Sequence, residues 1–240
     1  MLRQRLQTTA IALTATLLGM GIAALGQTAA PAKKSTPPSA AKTATKSTAA
    51  KKAAAAPAEP AVELPAQPGL YAVMSTTMGT MVFRLFEDKA PITVKNFVSL
   101  SKGIKKTASA KTGALVNRPF YNGLQFHRVI KDFMIQTGDI KASGSGNCGV
   151  PNIKDEFDPT LKFDTPGKLA MANIGEPNSG NCQIFVTVGT PEHLNGKHTI
   201  FGEVVTGQDV AKAISEVPTG AKDKPATPVL IKSVLIRKKE

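Results

Sequence analysis

The chain has 240 residues, a formal net charge of +13, two cysteines and no tryptophan. The first quarter differs so sharply in composition from the rest that one globular domain is expected, not two. The charge divides into +2 from Arg3 and Arg5, +4 from six lysines and two glutamates in residues 27–68, and +7 from residues 69–240. Much of the basicity thus lies outside the fold. The folded part has two tyrosines and no basic-aromatic stripe, so nucleic acid is not an expected partner.

Arg3 and Arg5 precede a stretch from Leu6 to Ala30 that carries no charge and no proline, with an apolar run from about Ala10 to Leu25. This is the pattern of a secretory signal peptide, residues 1–26. Ala24 and Gly26 are small residues suited to a cut before Gln27, whereas Pro31 disfavours one after Ala30. The alternative is an uncleaved anchor tethering the chain to a membrane, since about 20 apolar residues can span a bilayer. No cysteine follows the run, which argues against a lipid anchor.

Residues 27–68 are almost wholly Ala, Pro, Lys, Ser and Thr. They hold too little apolar surface to offset the entropy of ordering, so they read as a disordered, semi-rigid spacer. On an exported protein, periplasmic or extracellular, such a cationic tail would make loose contact with an anionic envelope surface. A disposable tail is the simpler reading.

From residue 69 onward the chain is long enough to bury about 70% of its unfolded surface in one core. Tyr71 to Met74 and Thr80 to Phe86 are β-rich segments separated by Met78-Gly79, which predicts a hairpin. Pro91 opens a helical pattern, with Ile92, Val94, Phe97, Val98 and Leu100 recurring at helical spacing and Gly103 as the stop. Ile104 to Pro119 is polar and basic and reads as a surface insertion. Short strands are then predicted at Phe126–Ile130, Phe133–Thr137, Lys168–Ala172, Gln183–Val188 and Ile200–Val205. A second helix runs from Gln208 to Glu216, ended by Val217-Pro218, and a last strand from Val229 to Arg237. Many short strands and two helices point to a mainly β barrel or sandwich.

Several chemistries fail on spacing. In GEPNSGNC, Gly175 and Gly180 have phosphate-loop spacing, but Asn181-Cys182 stand where Lys-Ser/Thr is required. No G-x-S-x-G elbow occurs, and Ser145 lacks the outer glycines. His127, His193 and His198 form no paired ligand motif with the cysteines, so neither metal nor cofactor is expected. Cys148 and Cys182 lie in Gly/Asn-rich contexts of a chain read as exported, which suggests one disulfide; two separate buried thiols are the alternative.

What stands out is FHRVIKDFMIQTGD, residues 126–139, where Arg128 and Gln136 interrupt an otherwise core-like pair of strands. A buried Arg demands a carboxylate partner or a cleft with a ligand, whereas an ordinary Arg on an edge strand demands neither. This block, GKLAMANIGEPNSGNCQIFV at 167–186, and HLNGKHTIFGEVVTGQDV at 193–210 occur in order. Together they closely resemble the cyclophilin family of peptidyl-prolyl isomerases, over nearly all of 70–236.

The resemblance implies a closed eight-stranded antiparallel β-barrel capped by two α-helices, with a substrate groove on its outer face. It implies that Arg128 is the catalytic arginine and that Phe133, Met134, Phe185, Leu194 and His198 surround the substrate proline. Gln136, Ala172, Asn173 and Gln183 would line the peptide path. His193 stands where many relatives have Trp, so weak binding of the cyclic inhibitor cyclosporin is expected. The implied function is rotation of X-Pro bonds in unfolded or flexible polypeptides, by a monomer assisting the folding of exported proteins. The alternative is a proline-peptide-binding chaperone module with incidental turnover. Each pocket residue also has a simpler reading, as ordinary core.

Overall fold

The computed structural model describes residues 62–146 and 148–240. The signal pattern, most of the spacer and Asn147 lie outside the described residues. The described residues hold ten strands: β1 Gly69–Thr76, β2 Gly79–Leu85, β3 Lys106–Ala108, β4 Leu115–Asn117, β5 Arg128–Ile130, β6 Met134–Thr137, β7 Lys168–Met171, β8 Ile184–Thr187, β9 Ile200–Thr206 and β10 Ile231–Lys239. The helices are α1, Pro91–Ser101, and α2, Gln208–Ser215, with short 3-10 turns at Glu192–Leu194 and Ala221–Asp223.

Eight strands form one antiparallel sheet in the order β10-β1-β2-β9-β7-β8-β6-β5. It curls but does not close, and here the expected closed barrel is corrected. β5 and β10 are its two ends, joined only by a single bridge, Gln125 to Leu230, and by flanking bonds such as Phe126 N–H to Val229 O (3.0 Å). The physical reason is local: Tyr121 to Gly123 turns instead of extending, and Pro225 and Pro228 bring no N–H to a ladder.

Period-two alternation sorts the side chains. Ile135, Leu169, Met171, Ile184, Val186 and Phe201 face the main core, where they meet Val94, Phe97 and Leu100 of α1 and Ala211 and Ile214 of α2. The Phe97 ring packs at a tilt on Tyr121 (5.2 Å between centroids) and Phe201 (5.4 Å), within the range of favourable aromatic contact. The alternate residues, Met134, Ala170, Phe185 and Ile200, form a second apolar cluster with the fully buried Phe163.

Helix α1 has Pro91 at its start and no side-chain cap from its own N-cap residue, Ala90. Its exposed N–H groups are taken by Glu156, far away in sequence: Ile92 N–H to Oε1 (2.9 Å), and Thr93 N–H and Oγ1 to Oε2 (2.8 Å each). A carboxylate here also complements the positive end of the helix dipole.

Two parts of the sequence reading shift. The insertion at 104–119 contains the β3–β4 hairpin, with Lys106 opposite Asn117 and Ala108 opposite Leu115. The spacer's last residues belong to the domain: Val62 and Leu64, with Leu235, pack on Tyr71, Val73 and Val82. Gln67 holds them there, accepting from Tyr71 Oη (2.8 Å) and, through Oε1, from Arg84 (3.1 Å).

Candidate active site

The ladder places a single row of residues across five strands: Arg128 of β5 opposite Gln136 of β6, then Phe185 of β8, Ala170 of β7 and Ile200 of β9. Direct partners in an antiparallel pair share a face, so this row lies on the side of the sheet away from the main core. Arg128 is therefore no accident on an edge strand. It stands at the end of a row whose far members, Phe185, Ala170 and Ile200, form an apolar floor.

Over that floor lies a groove of about 280 Å³ lined by Arg128, Phe133, Met134, Gln136, Ala172, Asn173, Phe185, Leu194 and His198. Phe163 stacks behind Phe185 at 5.9 Å, and His198 meets the same ring edge-on at 5.2 Å. His198 Nδ1 is 3.0 Å from the Met171 carbonyl oxygen. A carbonyl only accepts, so Nδ1 carries the proton. Burial lowers the His198 pKa below its ordinary value, outweighing the Met171 bond, and the ring is neutral at pH 7.

His193 does not line this groove; its ring lies against Phe133 at 5.9 Å, beside the rim. Asn173 lines it, but its amide is committed elsewhere, donating to the Lys197 carbonyl (2.8 Å) and accepting from Gly175 N–H (3.1 Å).

A second depression of about 210 Å³ shares Gln136, Ala172 and Asn173 with the first and continues past Gln183 to Gly144, Ser145, Gly146, Asn152 and Asn181. Gln136 donates to Gln183 Oε1 (2.9 Å), and Gln183 donates onward to the carbonyls of Gly144 (3.3 Å) and Gly146 (3.4 Å). This amide relay ties the groove to the loop after β6.

That loop is built around Asp139, buried at 1% exposure. Its Oδ1 accepts from Lys141 N–H (2.8 Å), and its Oδ2 from Ser143 N–H (2.8 Å), Ser143 Oγ (3.0 Å), Gly144 N–H (2.7 Å) and Gly146 N–H (3.1 Å). Burial pushes this carboxyl up, but the bonds from Lys141, Ser143 and Gly146 hold it below its ordinary value. Gly138 enters the loop at φ 93°, and a Cβ there would collide with the Cys182 carbonyl, so only glycine fits. Cys148 and Cys182 form a disulfide, with Cα atoms 6.5 Å apart, which cross-links the far end of the same loop to the segment before β8.

Arg128 is half-exposed, and its Nε donates to Asp223 Oδ2 at 3.3 Å. The two terminal guanidinium nitrogens make no hydrogen bond among the described residues. Asp223 was not singled out from sequence: it lies in AKDKP, which carries no periodicity and no motif. In the structure it and Lys222 adopt successive left-handed conformations (φ 57° and 61°), a costly arrangement for residues with a Cβ. Phe163 was missed for a similar reason, since it lies in a loop where no alternation marks a core position.

These features define a class: a mainly β protein with a peptide-width groove on its outer sheet face, an apolar floor, and a guanidinium at the edge. Comparison with known proteins names it. The family model described as "Cyclophilin type peptidyl-prolyl cis-trans isomerase/CLD" matches residues 71–236. The "Peptidyl-prolyl cis-trans isomerase A" of Mycobacterium tuberculosis is 46% identical over 167 residues, 69% of this chain and 91% of that one. The "Peptidyl-prolyl cis-trans isomerase B" of Streptomyces anulatus is 44% identical over 170 residues, 70% and 96% of the two chains. A crystal structure of a Cryptosporidium parvum cyclophilin-type isomerase in the presence of the dipeptide Ala-Pro is 30% identical. It has a TM-score of 0.60 and covers 70% of this chain and 99% of that one. The chain belongs to the cyclophilin-type peptidyl-prolyl cis-trans isomerase family and is an isomerase.

Proposed function

We propose that this isomerase binds proline-containing segments of unfolded or flexible exported polypeptides in the outer groove, with Arg128 as the catalytic residue. The observation that carries the reading is the row Arg128, Gln136, Phe185, which sets a donor beside an apolar floor. The relative crystallised with Ala-Pro supports a proline ring as the occupant. The signal pattern of residues 1–26 and the cysteine pair support export.

Rotation about an X-Pro amide faces a barrier of about 18–20 kcal/mol because the nitrogen lone pair is shared with the carbonyl. Uncatalysed exchange takes tens of seconds. Reaching about 10 to 1,000 turnovers per second needs three to five decades, or about 4–7 kcal/mol. Rotation makes and breaks no covalent bond to the substrate, so the task is to hold the ring and to favour the twisted amide.

Phe133, Met134, Phe185, Leu194 and His198 grip the ring, and the neutral His198 adds no charge that a proline would have to desolvate. In the twisted state the lone pair localises on the prolyl nitrogen and becomes a better acceptor. A terminal N–H of Arg128 then donates more strongly than to the planar amide, and the difference lowers the barrier. A charge-assisted donor in such a site contributes about 2–4 kcal/mol, leaving the remainder to fixation and exclusion of water. Gln136, Ala172, Asn173 and Gln183 line the path taken by the residues before proline.

The test is isomerisation of a short X-Pro peptide by the full chain and by Arg128→Ala. Turnover is expected to fall by two orders of magnitude or more, about 3 kcal/mol, with peptide affinity changed far less. Equal losses in both would show that Arg128 only binds.

A further inference from the structure

No Asp or Glu occurs between Asp88 and Asp132, and residues 90–118 within that stretch carry Lys95, Lys102, Lys105, Lys106, Lys111 and Arg118. The fold gathers this run into one surface. Ile104 N–H bonds to Ser99 O (2.9 Å) at the end of α1, Phe120 N–H bonds to Leu100 O (2.9 Å), and Asn117 Nδ2 donates to the carbonyls of Gly103 and Ile104 (3.3 Å each). A side chain at Gly103 would strike the backbone of Arg118, so the two segments lie in contact. The C-terminus of α1 and the β3–β4 hairpin are thus knitted together.

None of these six cations has a carboxylate partner among the described residues. Lys105 donates to Asn96 Oδ1 (2.7 Å), and its pKa is lowered first by burial and then by the nearby Lys95 charge. Amid the cations stand two large apolar side chains that the fold leaves in water, Ile104 at 64% and Leu115 at 56% exposure. Leu115 shares the exposed face of the hairpin with Lys106 and Asn117, whereas Thr107 on the opposite face is fully buried.

We infer that this surface docks on an anionic phospholipid bilayer, Ile104 and Leu115 entering the headgroup boundary while the lysines and Arg118 lie among the lipid charges. Cations ringed around exposed aliphatic residues match that boundary. A nucleic-acid surface would instead offer aromatic residues for stacking, and residues 89–118 include only Phe97, which is buried in the core. No residue of the patch lines either depression of the groove, so docking and catalysis use separate surfaces.

Sedimentation of the full chain with sucrose-loaded vesicles of phosphatidylcholine, with and without phosphatidylglycerol, tests the inference. Two variants are compared with the unaltered chain, Lys102→Gln/Lys105→Gln/Lys106→Gln/Arg118→Gln and Ile104→Ser/Leu115→Ser. Removing the four charges should weaken partition onto the anionic vesicles by about a hundredfold or more, and removing the two aliphatic groups by about tenfold. Isomerase turnover and thermal unfolding should stay near those of the unaltered chain. Full vesicle binding by either variant overturns the inference, because residues 1–61 alone or bare charge would then account for it. Tighter binding to a DNA oligonucleotide than to the anionic vesicles overturns it in favour of a nucleic-acid surface.

Discussion

Opening the Cys148–Cys182 bond should cost stability without costing much activity. The cross-linked cysteines are 34 residues apart. By the chain-entropy relation, releasing a loop of that size restores about 13 cal/mol/K to the unfolded state, or about 4 kcal/mol at 25 °C. That is a large share of the roughly 5–15 kcal/mol that stabilises a typical domain. It corresponds to a fall in Tm of about 8–16 °C for a domain of this size. Both cysteines are essentially inaccessible, at 1% and 0% exposure, so reductant must be added to the unfolded chain and kept through refolding. Urea unfolding of the oxidised and reduced chain and of Cys148→Ala/Cys182→Ala measures the difference. The groove loop has two further restraints, the Asp139 carboxylate and the Gln183 bonds to Gly144 and Gly146, so turnover on a short peptide should change less than about threefold. Oxidised and reduced stabilities within about 1 kcal/mol of each other would refute the entropic argument. A tenfold loss of turnover would show that the cross-link, and not Asp139, sets the groove wall.

Asp223→Ala frees the Arg128 Nε, and turnover should fall about three- to tenfold with KM nearly unchanged, read from progress curves over a range of peptide concentrations; unchanged turnover would show that the ion pair does not orient the guanidinium. Glu156→Ala strips three hydrogen bonds from the start of α1 and should destabilise the domain by about 1–2 kcal/mol in urea, with no recovery from added salt. His127 is 4% exposed, neither ring nitrogen has a hydrogen-bond partner among the described residues, and burial lowers its pKa below 6.5. The unfolded chain therefore takes up the proton first, so stability is complete above about pH 6.5 and declines as pH falls below it toward the depressed folded value. His127→Phe should flatten that decline in part, His198 supplying the remainder, and an unaltered slope would remove His127 as its source.

The helices were legible because their signals are local: Pro91 starts one, Val217-Pro218 stops the other, and the apolar spacing between is unambiguous. Arg128 and Gln136 were legible as an anomaly, donors inside core-like strands, and the cross-strand row supplies the reason. Asp223 and Glu156 were not legible, because each acts on a residue 95 or 63 positions away, and sequence spacing says nothing at that range. Lys106 to Asn117 looked like a surface insertion because Lys, Ala and Gly are weak strand formers, and pairing overrode that preference. Whether the sheet closes depends on two prolines and a turn at its seam, details that alternation within single strands does not encode.

The first strand of the sheet pairs with the last, Gly69 opposite Lys239 and Met74 opposite Val234. A chain emerging from the ribosome, or threading through a membrane pore, holds β1 long before β10 exists, and until then one side of β1 has no partner. The pairing of β1 with β10 therefore waits until residues 231–239 are available. Any truncation that removes β10 leaves the second strand of the order as an open edge, ready to recruit a neighbouring chain. An enzyme whose reaction shortens the wait of other polypeptides must itself wait for β10 before its own sheet is complete.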